Sequence, residues 1–185
     1  EKLNAIGFVW DAIDEKWNQM FSELELYLQE NGDTLVPQRY VTRSKLKLGD
    51  WVSWHRAAYE KISKLKRSRL DAVGFVWDPF ENKWQQMFSE LELYLKENGD
   101  TLVPQKYETR SKLKLGQWVA DMRKHKSNQT DNRISKLNTL GFIWDVKKHD
   151  WEKMFCALKS YIEENGDALV PKRHQTLDGL NLGHW

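Results

Sequence analysis

Apolar residues along this chain recur in steps of three and four, break off, and return in the same order 67 residues later. Trp17, Phe21, Leu24 and Leu28 fall at spacings of 4, 3 and 4, as do Trp84, Phe88, Leu91 and Leu95, and Trp151, Phe155, Leu158 and Ile162. That spacing lays one apolar stripe along an α-helix. Asn31-Gly32, Asn98-Gly99 and Asn165-Gly166 follow the stripes, placing a residue that tolerates positive φ where each helix must stop. The start is clearest in the second copy. There Asp78-Pro79-Phe80-Glu81 offers an N-cap, a proline at the first helical position and a capping-box glutamate. Asp11 with Asp14, and Asp145 with Lys148, are less complete versions.

Leu35-Val36-Pro37 reads as a short extended stretch, because proline disfavours helix at the residue before it. A second helix carries Leu48, Trp51, Val52 and His55 at helical spacing, with Gly49 near its start. Glycine is a poor helix former, so its presence implies close approach of another backbone or of a Trp ring. The third helix is best marked in the second copy, by Thr130 as N-cap and the stripe Ile134, Leu137 and Leu140. It ends at Gly141, as its counterparts end at Gly7 and Gly74.

With no alternating strand pattern, the fold class is all-α: a tandem array of small three-helix modules with a 67-residue period. Residues 1–10 end a preceding module, 11–77 and 78–144 are whole modules, and 145–185 is a truncated third. This phase implies a segment cut from a longer polypeptide. Ten Trp in 185 residues are a heavy aromatic load, suited to modules too small to build a large core otherwise. Trp17, Trp51, Trp84, Trp118 and Trp151 are therefore expected to be largely buried. The third module lacks a third helix and should leave part of its first stripe uncovered.

Charged residues make up 30% of the chain and mean hydropathy is −0.75. No apolar run is long enough to span a bilayer, and no membrane partner is expected. The single cysteine, Cys156, rules out an internal disulfide framework and suits a reducing, intracellular compartment. It reads as a small core residue on an apolar helix face.

A net charge of +2 conceals segregation. Residues 11–33 carry seven acids (Asp11, Asp14, Glu15, Glu23, Glu25, Glu30 and Asp33) against Lys16, whereas 38–70 carry ten bases against Asp50 and Glu60. The second module repeats the polarity, with six acids against two bases in 78–100 and nine bases against three acids in 105–137. A basic patch can bind phosphate whatever the net charge, since screening confines the Coulomb interaction to roughly 10 Å.

The densest part of that patch is the loop into the second helix: Arg39, Arg43, Lys45 and Lys47, matched by Lys106, Arg110, Lys112 and Lys114. A basic loop entering a helix N-terminus suits a phosphate clamp, with free amides and the macrodipole adding to the side chains. Equally, these bases could solvate the loop or pair with the acidic first helix. Arg56 and Arg123 lie one turn after Val52 and Val119, placed either for a structural ion pair to the acidic helix or for a base contact. In the third module Arg173 persists, but Arg43, Lys45 and Lys47 become Leu177, Gly179 and Asn181. The charge is therefore separable from the fold.

Little supports catalysis. His55, His125, His149, His174 and His184 do not recur with the period. No Cys/His set has metal-ligand spacing, and neither a Gly-rich phosphate loop nor a nucleophile elbow is present. No enzymatic activity, cofactor or metal is expected.

Taken together, these motifs resemble the helicase-associated domain family. The resemblance rests on Leu-Gly-x-Trp-Val at 48–52 and 115–119 followed by Arg56 and Arg123, on the opening Trp-x-x-x-Phe, on Gly-Asp-x-Leu-Val-Pro, and on the closing Gly-Phe-x-Trp. It covers essentially the whole chain. It implies three-helix modules in tandem, often C-terminal to helicase motor domains and thought to bind nucleic acid. No motor motif occurs here, so no nucleotide-driven activity carries over. The expected function is a non-catalytic nucleic-acid-binding region, with DNA ahead of RNA as ligand. A helicase or other domains of the same parent chain would be further partners. The alternative is a protein–protein interaction or scaffold array, for which Trp54 and Tyr59 would serve as exposed aromatics.

Overall fold

The computed structural model describes residues 12–185; the remnant 1–10 and the Asp11 cap lie outside the described residues. Seven α-helices and no strand occur among them. Module one contributes α1 (Ala12–Asn31), α2 (Leu48–Ala57) and α3 (Lys64–Ala72). Module two contributes α4 (Pro79–Asn98), α5 (Leu115–Lys124) and α6 (Asp131–Thr139), and module three contributes α7 (Val146–Asn165). Short 3₁₀ turns occupy Tyr59–Lys61, Lys126–Asn128 and Leu182–His184. The chain divides into two compact units, the first ending at Trp84 and the second comprising Gln85–Trp185. No described helix is long and apolar enough to cross a membrane.

The helix ends follow the punctuation in the sequence. Asp78 Oδ1 accepts from the amides of Phe80 and Glu81 (2.9 and 3.0 Å), and Asp145 Oδ1 from Lys148 (3.0 Å). Thr130 caps α6 and Ser63 caps α3. Gly32, Gly99 and Gly166 take φ of 81°, 85° and 84° where the long helices stop, a conformation that would strain an L side chain.

In module one the core joins Trp17, Met20, Phe21, Leu24 and Tyr27 of α1 to Val36, to Leu48 and Val52 of α2, to Leu70 of α3, and to Phe75. The buried line is turned slightly from the expected stripe. Tyr27 and Tyr94 are buried, while Leu28 and Leu95 are only half-buried. Each tyrosine meets a loop tyrosine edge-on, Tyr27 with Tyr40 and Tyr94 with Tyr107, both at 5.0 Å between ring centroids. The loop thus covers a face that helix periodicity alone leaves open.

The tryptophans divide into three groups. Trp17 and Trp84 are buried, and Trp51 and Trp118 are half-buried. Trp151 is 53% exposed, contrary to the expected burial. Among the described residues neither the body of a second helix nor a third helix lies against its stripe, so Phe155 and Ile162 are exposed as well, and Cys156, expected in the core, is exposed too.

Gly49 shows why α2 admits a glycine. A Cβ there would overlap the carbonyl oxygens of Pro37 and Gln38, and Gly116 and Gly183 meet the same backbone in their own modules. The extended stretch is pressed directly onto the helix start, so a backbone, rather than a ring, imposes the glycine.

Candidate nucleic-acid interface

The basic loop before α2 is shaped by a threonine that the sequence reading did not single out. Thr42 is buried; its carbonyl accepts from the Lys45 amide (2.9 Å), its amide donates to Leu46 O (2.9 Å), and its Oγ1 accepts from the Leu46 amide (3.1 Å). Thr109 and Thr176 repeat the pattern with Lys112 and Leu113, and with Gly179 and Leu180. Closing the turn in this way requires a left-handed residue after its central pair. Lys45 and Lys112 fill that place with φ of 59° and 61°, and Gly179 with 76°. The recurrence of threonine at the 67-residue period was the available signal.

Of the loop bases, Arg39, Arg43, Lys45 and Lys47 are exposed, as are Lys106, Arg110, Lys112, Lys114 and Arg173. Arg43 pairs with Glu30 at 3.1 Å and Arg110 with Glu97 at 3.2 Å. Each pair thus ties a loop arginine to the acidic first helix of its own module. Both arginines stay more than 90% exposed, and exposed pairs of this kind contribute only about 0–1 kcal/mol. No ion pair among the described residues holds Lys45, Lys47, Lys112 or Lys114.

The first two amides of the α2 N-terminus are not free. Leu48 N–H donates to Leu46 O and Gly49 N–H to Tyr40 O, with Leu115 and Gly116 bonded in the same way in module two. Leu48, Gly49, Leu115 and Gly116 are also buried. The backbone contact that demands glycine occupies this part of the helix end, so a phosphate here would be held chiefly by side chains.

Arg56 and Arg123 serve the fold. Arg56 Nε donates to Val76 O (2.9 Å) and Nη2 to Thr34 O (3.0 Å), over the Phe75 ring. Arg123 repeats this with Ile143 O, Thr101 O and Phe142. Both guanidiniums are half-buried, and burial pushes their pKa down. Backbone carbonyls, rather than the acidic helix, take these N–H groups. Thr34 Oγ1 adds to the tie by accepting from the Val76 amide (2.9 Å) and donating to Gly74 O (3.1 Å).

Much of the remaining positive charge is engaged within the module. Lys66 of α3 pairs with Asp14 and lies over Trp17, and Arg69 bonds Asn18 and lies over Trp17 and Phe21. The basic third helix therefore faces the acidic first helix, leaving the loop lysines, with Lys61 and Lys64, as the outward-facing part of the patch.

His55 is the remaining polar group in the module-one core. Its Nε2 accepts from Trp17 Nε1 (2.8 Å) and its Nδ1 meets Trp51 O at 2.8 Å, so Nδ1 carries the proton. Burial pushes its pKa below the usual histidine value, which favours the neutral ring. Module two places Met122 at this position.

No curated protein and no solved structure matches the chain. A model of the helicase associated domain matches it three times, over residues 14–78, 81–145 and 148–185. Those spans cover most of the sequence and keep the period of the repeat, so the chain belongs to the helicase-associated domain family.

Proposed function

We propose that this chain is a non-catalytic nucleic-acid-binding repeat region whose first two modules hold phosphates through lysines on the turn before the second helix. The observation that carries this reading is the conformation of Lys45 and Lys112. Both are left-handed, at φ of 59° and 61°, where the third copy of the same turn uses Gly179. A left-handed L-residue costs roughly 1–2 kcal/mol, and lysine has no special tolerance for it. The hydrogen-bond frame is the same with glycine, so the lysines do nothing for the turn itself. Side chains kept at a conformational cost point to a use outside the fold, and an exposed ammonium beside Lys47 or Lys114 suits a phosphate. DNA stands ahead of RNA as the ligand.

The test exchanges the two lysines for the residue that the turn prefers. In a Lys45→Gly/Lys112→Gly variant, stability should stay level or rise by up to about 1 kcal/mol per site, relief of strain being partly offset by unfolded-state entropy. Affinity for duplex DNA should fall, and the slope of log K against log salt should flatten by up to about 1.8, two contacts at about 0.9 each. Opposite signs for stability and binding separate a ligand role from a folding role. Unchanged affinity and slope would remove the clamp. A wild-type chain that bound no nucleic acid at low salt would leave the protein-interaction or scaffold reading in its place.

A further inference from the structure

Next to the turn of module one lies a groove of about 820 Å³, within the size range of small-molecule and base-sized sites. Its aromatic wall is formed by Trp17, Trp51, Trp54 and His55. Five lysines, Lys16, Lys45, Lys47, Lys61 and Lys66, line it too, and no carboxylate does. Lys66 is engaged by Asp14, leaving Lys16, Lys45, Lys47 and Lys61 as exposed cations around an apolar, aromatic interior.

The wall is rigid as well as aromatic. Its two hydrogen bonds fix His55 between Trp17 and Trp51. The ring centroids of Trp51 and His55 are 3.9 Å apart, and Trp54 meets His55 edge-on at 4.9 Å. Trp54 itself is 57% exposed. An indole held by its neighbours yet open to solvent loses little side-chain entropy when a flat ligand stacks on it. Ammonium groups beside it supply the charge that a nucleotide's phosphates require.

We infer that the module-one groove receives an unpaired nucleobase, stacked on Trp54, while Lys45, Lys47 and Lys61 hold the flanking phosphates, which makes module one a single-strand site. The inference rests on the nucleic-acid reading above and deepens it. A base within a duplex has both faces covered, so only a single strand or an extruded nucleotide can present one to an indole. The repeat supplies an internal contrast. Module two has Asp121 in place of Trp54, Met122 in place of His55, Asn128 in place of Lys61 and Gln129 in place of Ile62. Asp121 also accepts from Gln117 Nε2 at 3.0 Å, placing a carboxylate where module one has its stacking ring. Module two keeps the turn lysine without the exposed stacking ring, so it contacts backbone only.

The full chain can be titrated with end-labelled (dT)₁₂, with an abasic strand of equal length and charge, and with a 12-base-pair duplex. Wild type should bind (dT)₁₂ more tightly than the abasic strand. Trp54→Ala should reduce (dT)₁₂ affinity roughly tenfold or more, the contribution of one stacked base. It should leave duplex and abasic affinities unchanged, and Trp54→Phe should recover part of the loss. Because Trp54 is largely exposed, the thermal midpoint should hold. Equal wild-type affinity for (dT)₁₂ and the abasic strand, or an unaffected Trp54→Ala variant, would overturn the base site. If duplex binding nonetheless weakened in the Lys45→Gly/Lys112→Gly variant, the phosphate reading would survive alone. Binding of none of the three strands at low salt would overturn both.

Discussion

Helices α1 and α7 carry the same apolar stripe at the same spacing but have different surroundings. In α1, Trp17 and Phe21 are buried beneath α3, whose Arg69 lies across both rings at 4.7 and 4.4 Å. In α7, Trp151 and Phe155 keep the same stacked pairing, 5.0 Å between centroids against 5.1 Å, yet both are exposed. The pairing is therefore local to the helix, and burial is supplied by the second and third helices together. Hydrophobic stabilisation scales with apolar area removed from water, so α1 contributes to a core, whereas α7 carries the same residues at far smaller gain.

The comparison breaks first under hydrogen exchange. Amides of residues 168–185 should open at a free energy near zero, while those at the centre of α1 approach the several kcal/mol of global unfolding. Equal protection of the two segments would show that something covers the end of module three. The next effect in size is truncation of the rings. Trp17→Ala should destabilise module one by about 3–5 kcal/mol in urea denaturation, whereas Trp151→Ala should cost below about 1 kcal/mol. Comparable losses would place Trp151 in a core.

Where the modules agree, the effects should agree too. Gly49→Ala forces a methyl into the carbonyls of Pro37 and Gln38, an overpacking that should cost about 1–3 kcal/mol. Gly116→Ala should match it, and a cost near zero at both sites would mean that the loop yields freely. The smallest effect distinguishes modules one and two by pH. His55 has its folded pKa pushed below the ordinary 6.5 by burial, so the unfolded chain binds the proton more readily. The stability of module one is then complete above pH 6.5 and declines as pH falls from there through the folded pKa. One proton sets the limit at about 1.4 kcal/mol per pH unit. His55→Met, which copies module two, should remove that dependence; a slope left unchanged would assign it to another group.

Residues that act within one or two turns were legible in the sequence. The helix caps at Asp78 and Thr130, the glycine stops, and the stripes through Leu24 and Leu91 follow from local geometry and periodicity. Gly49 was legible as a close-approach site because a poor helix former needs a steric reason. What escaped notice are bonds between polar side chains and backbone far along the chain. Arg56 reaches Val76 and Thr34, twenty or more residues away, and spacing gives no hint that carbonyls rather than carboxylates await it. The left-handed state of Lys45 was hidden for a related reason. It is set by Thr42 closing the turn, and only Gly179 in the third copy betrays it.

Val76 is gripped at both of its backbone polar groups, its amide by Thr34 and its carbonyl by Arg56. In a chain pulled from its C-terminal side, tension arriving past residue 78 meets these two bonds, loaded together, before it reaches α3. Module two repeats the grip at Ile143 through Thr101 and Arg123. A tug on that end would thus load the second helix through the arginine and the stretch after the first helix through the threonine, recruiting both before the third helix is pulled away.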